Sequence, residues 1–333
     1  MGGELLQGFP SCPKITVITP SYNQGRFLER CMTSVLSQDY DNLEYIVIDG
    51  GSTDQSQAII RKHADHLAYW ISEKDHGQSD AINKGFARAT GDLVAWMNAD
   101  DFYLSGAFKA VAEAYQADPD APFYFGDGIR VDEAGNPRDG FFPNGRVTFN
   151  RDALIFGLNY ILQPAVFINR RSLMEVGYLD PQLQYGMDTD LWIRLSGLAL
   201  PVSIPRRLAA SREYQETKTA TGSFERIEEL RSIAKKYSGL SITPGVLCYF
   251  LHTLDILCLE RPDIYPPRFR KSVRRLWEPA TVLLAQYGAN TRGFPDVEAG
   301  RGSRIRKAVW RVKAYLASLL GAFKSMARYD NRG

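Results

Sequence analysis

Two neighbouring aspartates, Asp100 and Asp101, leave an apolar run (LVAWM, residues 93–97) through Asn98 and Ala99. Two carboxylates a few ångströms apart repel one another, so the arrangement is costly unless a cation meets it. Mg²⁺ or Mn²⁺ suits the place. Such hard ions take oxygen ligands, bind through one or two carboxylates and let substrate phosphates fill the remaining positions. The pair would then hold a diphosphate through the metal; taken alone, it also suits capping of the helix that follows. Three further polar clusters stand out: Thr19-Pro20-Ser21-Tyr22-Asn23, Asp49, and the segment from Asp75 to Gly85 with His76, Asp80, Asn83 and Lys84. The last puts a cation and several hydrogen-bonding side chains on a loop and helix start, where backbone N–H groups favour anions.

The elements that position these residues follow from hydrophobic periodicity. Residues 14–20 (KITVITP) form a β-branched run, and Phe27, Leu28, Cys31, Met32, Val35 and Leu36 share one helical face after it. A second apolar strand, 43–48 (LEYIVI), ends in a turn-and-cap sequence before a helix with Ala58, Ile59 and Ile60. A strand at 67–72, a helix at 79–89, a strand at 93–97 and a helix at 105–117 continue the alternation. This order predicts a doubly wound α/β sheet with both faces covered. In open parallel sheets ligands bind at the carboxyl ends of strands, which is where the polar clusters fall. From Pro122 the pattern loosens into hairpin-like pieces, 123–131 and then a GNP turn; helix returns at 188–196 and dominates after Ser223. Trp96 and Trp192 fall within apolar runs and read as core.

With 333 residues and 44% hydrophobic side chains, the chain can bury one large core and a smaller appendage. A net charge of +2 argues against nucleic acid as the main partner. Cys12, Cys31, Cys248 and Cys258 lack zinc-ligand spacing and read as reduced, buried thiols. The first residues lack the basic start and apolar stretch of an export signal, and no run is long enough to span a bilayer, so the expected location is the cytoplasm.

Four stretches, ITPSYNQGRFLERCMTSVLSQ, YIVIDGGSTDQS, DHGQSDAINKGFARATGDLVAWMNADD and GMDTDLWIRL, together resemble the family 2 glycosyltransferases over roughly residues 14–215. The resemblance implies the GT-A fold: a Rossmann-like αβα sandwich with a mixed, mostly parallel sheet, over residues 14–220. It implies a nucleotide-sugar-binding half at 14–121, an acceptor half at 122–220 and a helical C-terminal region at 221–333. It also implies an inverting, metal-dependent transfer from a nucleoside-diphosphate sugar, a UDP-sugar being favoured, to a hydroxyl of a glycan or lipid-linked acceptor in envelope polysaccharide synthesis. Thr19, Pro20 and Tyr22 would line the nucleoside pocket, Asp49 would approach the base, and His76, Asp80, Asn83, Lys84 and Asp100 would contact the donor. Asp100 and Asp101 match the family's metal-binding motif, with Asp101 preferred for direct contact. Asp188 matches the general base, with Asp190 as competitor in the role of a first-turn acid favourable to the helix dipole. Two departures stand out: Gly50 where many relatives carry a second acid, and Met187 where an acid would precede Asp188. The second leaves open a catalytically silent sugar-nucleotide-binding or scaffold protein.

Nine Lys or Arg against one acid between Arg301 and Arg332 make that end basic. Ile305, Val309, Val312, Leu316, Leu319, Leu320 and Phe323 share one helical face, predicting a basic amphipathic helix at 303–328. Such a helix packs on its own domain or lies on an anionic membrane, the second placing the protein at the inner face of the plasma membrane.

Overall fold

A computed structural model describes residues 12–142, 148–218, 223–265 and 267–273. Two compact units divide the chain, Met1–Thr253 and Leu254–Gly333. The first holds β1 (Ile15–Ser21), α1 (Gly25–Leu36), β2 (Leu43–Asp49), α2 (Ser56–Lys62), β3 (Tyr69–Ser72), α3 (Gln78–Arg88), β4 (Leu93–Trp96), β5 (Phe102–Tyr103) and α4 (Ala107–Ala117). It continues with β6 (Phe123–Val131), β7 (Pro137–Gly140), α5 (Arg151–Ile155), β8 (Val166–Asn169), α6 (Arg170–Val176), α7 (Met187–Leu195), β9 (Val202–Arg212) and the helix Ser223–Ser238. A further helix, Pro244–Glu260, begins in this unit.

Among the described residues one sheet runs in the order β3-β2-β1-β4-β8-β6-β9-β5, with β7 beside β6. The first four strands are mutually parallel. Beyond them β8 is antiparallel to both β4 and β6, and β9 runs parallel to β6 and antiparallel to β5. The first four strands are those the alternating pattern predicts, shifted by a residue or two. β9 is not foreseen: its sequence VSIPRRLAASR lacks a period of two. The reason is visible in its pairing, which jumps from Ile204 opposite Gly126 to Arg207 opposite Asp127, leaving Pro205 and Arg206 outside the ladder. Proline has no N–H to give a ladder and sits at such a bulge. Pro20 is tolerated inside β1 for a related reason. Pairing with β4 ends at Ile18–Trp96, so at Pro20 only the β2 side is covered.

Side chains of a strand alternate between faces, and the core divides accordingly. Ile15, Val17, Tyr45 and Val47 pack with Leu28 and Met32 of α1 and Phe108 and Val111 of α4. Ile18, Ile46 and Ile48 face the opposite cluster, with Ile82 and Phe86 of α3 and Leu191 and Trp192 of α7. Trp96 and Trp192 stack there at 5.5 Å between centroids, both in the core as their runs predict. This is an αβα sandwich.

The first unit extends beyond residue 220. Glu229 on the helix Ser223–Ser238 accepts from the backbone N–H groups of Gln184, Tyr185 and Gly186 just before α7. In the second unit Arg270 pairs with Asp255 at 3.0 Å and Tyr265 stacks on Phe269. Cys31, Cys248 and Cys258 are free and buried, whereas Cys12 is exposed, outside the core expected for it. No helix of the described residues is long and apolar enough to cross a membrane. The stretch 303–328 lies outside the described residues.

Candidate functional site

The parallel register aligns the carboxyl ends of three strands, Ser21 beside Asp49 and Asp49 beside Ser72. Asp49 is fully buried, and its carboxylate accepts from Ser52 N at 2.9 Å, Ser52 Oγ at 2.5 Å and Ser72 Oγ at 2.6 Å. It therefore builds the rim from beneath. The loop after β1 is joined to the loop after β2: Asn23, in the left-handed region at φ 52°, donates its N–H to Ser52 Oγ and accepts from Thr53 N. Gly50 has a steric cause, because a Cβ there would stand 2.6 Å from the Asp75 carboxylate. Asp75 holds the space that a second acid would fill.

The other expected donor residues separate into groups. Thr19 is buried, its hydroxyl 2.9 Å from that of Tyr45, and Pro20 is buried beside it; Tyr22 projects into solvent. His76 is exposed. Asp80 accepts from His76 N and pairs with Lys84 at 3.4 Å, and Lys84 also pairs with Glu73 at 3.0 Å. Asn83 holds both the N–H and the carbonyl of Leu179, which docks the second half of the domain onto α3. α3 begins after Gly77, whose φ of 109° is a glycine conformation, and its first residue Gln78 turns toward the sheet. Gln78 donates to Asn98 Oδ1 at 2.7 Å, Asn98 donates to Gln163 Oε1 at 3.1 Å, and Gln163 donates to the carbonyl of Trp96 at 2.8 Å.

Asp100 and Asp101 follow at the end of β4. Asp101 is 5% exposed and accepts the Arg212 N–H at 2.8 Å, fastening the end of β9. Asp100 stays on the rim, where its Oδ2 accepts from Tyr214 Oη at 2.9 Å. Burial holds both carboxyls above the ordinary aspartate range, and the charge of Asp100 adds to the effect on Asp101. Arg212 lies beside the pair, yet its guanidinium donates to the carbonyls of Asp100, Asp132 and Glu133. Two ionised carboxylates in this place are therefore short of positive charge, which is what a divalent cation would supply. The described residues hold no group of three or more His, Cys, Asp or Glu placed as a metal cluster. A cation here would take this acid pair plus oxygens of a bound phosphate, a donor set suited to Mg²⁺ or Mn²⁺.

The segment after β9 was missed at the sequence level. Besides Tyr214 on Asp100, it carries Lys218, whose Nζ lies 3.0 Å from both Gln78 Oε1 and the Gln184 carbonyl. Lys218 is thus joined through Gln78 and Asn98 to the end of β4. Burial lowers its ammonium pKa. No signal in the sequence sets this lysine apart from the others.

At the start of α7 the two acids part ways. Asp190 is 1% exposed and binds Arg194 Nε at 2.8 Å, Lys236 Nζ at 2.9 Å and Tyr237 Oη at 2.6 Å. Burial works against its ionisation, but these three donors outweigh it and hold the carboxyl below the ordinary range. Asp188 accepts from Asn159 Nδ2 at 2.8 Å and from Thr189 N at 2.6 Å, and burial raises its pKa. Met187, the departure before it, is 7% exposed and meets Ser79 Oγ at 2.8 Å within the apolar cluster of α3, a poor place for a carboxylate.

Residues 16–177 match the family model described as Glycosyl transferase family 2. An uncharacterized glycosyltransferase of Mycobacterium tuberculosis is 32% identical over 200 residues, 58% of this chain and 73% of the relative. The match spans a smaller share of other curated relatives, 33% of one and 16% of another. Staphylococcus aureus TarS 1–349 in complex with UDP-GlcNAc shares the fold with a TM-score of 0.53 at 16% identity, over 83% of this chain and 81% of that one. The Pyrobaculum calidifontis mannosyltransferase PcManGT, in complex with GDP-Man and Mn²⁺, has a TM-score of 0.52 at 20% identity over 85% and 81%.

Proposed function

The chain belongs to glycosyltransferase family 2, and on that premise we propose that it transfers a sugar, with inversion, from a nucleoside-diphosphate sugar to a hydroxyl of a glycan or lipid-linked acceptor. The observation that carries this reading is the buried acid pair Asp100–Asp101 at the carboxyl end of β4. A UDP-sugar is the favoured donor, in keeping with the UDP-GlcNAc bound to TarS. Its nucleoside would lie along Thr19, Pro20 and Tyr22 over the floor built by Asp49, with Asp75 at the edge. Asp100 and Asp101 would hold a divalent cation of the kind bound in PcManGT, which supplies positive charge for the donor diphosphate. Lys218 and Gln78 stand on the same rim and would receive the phosphate oxygens; Lys84 is engaged by Glu73 and Asp80 and contributes at longer range.

Asp188 acts as the general base. It takes the proton from the acceptor hydroxyl as that oxygen forms a bond to C1 of the sugar, while the bond from C1 to the phosphate oxygen breaks on the opposite face. The raised pKa suits the task, since a base works best when its pKa approaches the working pH. Asp190 is committed to its three donors. The basic stretch 303–328 would seat the protein on an anionic membrane surface; a chain ending near residue 300 should then lose binding to anionic vesicles.

The test is release of nucleoside diphosphate from UDP-, GDP- and dTDP-sugars with Mn²⁺, Mg²⁺ or EDTA, in the presence of a bacterial lipid extract. Release that needs the metal, Asp100, Asp101 and Asp188 is the expected result. Metal-dependent nucleotide binding with no release from any donor would instead favour a sugar-nucleotide-binding protein.

A further inference from the structure

Asn159 stands in the loop between α5 and β8, 29 residues before the acid it touches, and none of the four stretches with family resemblance contains it. Its amide is used at both ends. Oδ1 accepts the Ile161 N–H at 3.2 Å, which sets the loop, and this acceptor role leaves Nδ2 as the end that donates to Asp188 Oδ2 at 2.8 Å. The other carboxylate oxygen is held by Thr189 N and Thr189 Oγ1. Asp188 is therefore gripped on both oxygens, by its own helix on one side and by Asn159 on the other.

The remaining groups that act on it come from beyond residue 220. Arg226, on the helix Ser223–Ser238, lies over the Tyr249 ring at 4.7 Å, and Tyr249 is on the helix Pro244–Glu260. Arg226 favours the ionised form of Asp188, and Tyr249 feels its charge.

We propose that Asn159 is a positioning residue for Asp188, its amide N–H fixing the rotamer of the carboxylate. The inference rests on the reading of Asp188 as the base. A hydrogen bond donated to a carboxylate favours the charged form, so losing it moves the protonation midpoint upward.

The test is the titration of the Asp188 carboxyl by ¹³C NMR in the full chain, its resonance assigned by its loss in Asp188→Asn. Asn159→Ala removes the donor without placing a new charge beside Asp188, so repulsion cannot move the midpoint by itself. The Asp188 midpoint should move upward by about one pH unit or more. Arg226→Gln should move it in the same direction by less. The acidic limb of the kcat profile should follow, giving a roughly tenfold loss of turnover at a pH below both midpoints. An unmoved midpoint in Asn159→Ala, in protein with the wild-type melting temperature, overturns the proposal, as does a moved midpoint with an unmoved acidic limb. If no donor is turned over, the transferase reading fails, and the NMR midpoint still decides whether Asn159 governs the Asp188 carboxylate.

Discussion

The domain carries two pairs of acids close in sequence, Asp100 with Asp101 at the end of β4 and Asp188 with Asp190 at the start of α7. In each pair one carboxylate is buried, Asp101 and Asp190, and the other, Asp100 or Asp188, is only partly so. The buried members are fastened differently. Asp101 accepts a neutral backbone N–H from Arg212 and stays difficult to ionise, whereas Asp190 is met by Arg194 and Lys236 as well as Tyr237 and ionises easily. A buried carboxylate with cationic partners is complete in itself. One held by an amide is still short of positive charge, and the shortage at the donor rim is what a divalent cation would meet.

The largest effect is expected at Asp188. Asp188→Asn should lower kcat by about 10²–10⁴-fold with donor affinity unchanged, measured by nucleoside diphosphate release and by calorimetry. Equal losses in Asp190→Asn without a loss of stability would show that the wrong acid has been assigned.

Stability separates the fastened members. Asp190→Ala removes the carboxylate that Arg194, Lys236 and Tyr237 share and should cost about 2–3 kcal/mol in urea unfolding at neutral pH, less than a fully buried pair because Lys236 is half exposed and Arg194 keeps its carbonyl acceptors. Because the folded pKa of Asp190 is depressed below the ordinary 3.8, its contribution is present above that value and is lost as the pH falls through the folded value. Wild type and Asp190→Asn should therefore converge in acid.

Asp101→Asn should behave in the opposite way. Its folded pKa is raised, so folding opposes ionisation and the cost grows as the pH rises above 3.8. An amide keeps an acceptor for Arg212 N and removes that cost, so the variant should be more stable than wild type by on the order of 1 kcal/mol at pH 8 and by less at pH 4. Mn²⁺ should raise the melting temperature of wild type but not of Asp101→Asn. Destabilisation of this variant at pH 8 would remove the distinction between the two pairs. The smallest effect is expected at Tyr214→Phe, where losing the hydroxyl that occupies Asp100 should tighten Mn²⁺ binding a few-fold, read by titration calorimetry.

The first half of the domain was legible because its information is local. β-branched runs and one-faced helices from residue 14 to 117 register burial on each side of a parallel sheet, and the polar clusters stand at the strand ends where such sheets bind ligands. β5 escaped because two residues carry no period, and β9 because Pro205 and its arginines interrupt the ladder. The circumstances of the candidate residues were not legible: Asp49, Asn83 and Lys84 are engaged by neighbours that their own stretches of sequence do not reveal.

The chain by itself determined the sandwich, the acid pair after β4 and the acids opening α7, since these follow from side-chain type and short-range spacing. Only the tertiary structure decided which acid of each pair is buried and which donors each one meets. Those choices depend on Arg212, Tyr214, Asn159, Lys236 and Tyr237, donors separated from their carboxylates by 29 to 114 residues. A carboxylate's behaviour is set by the charge and hydrogen bonds within a few ångströms, and folding brings those partners from distant parts of the chain.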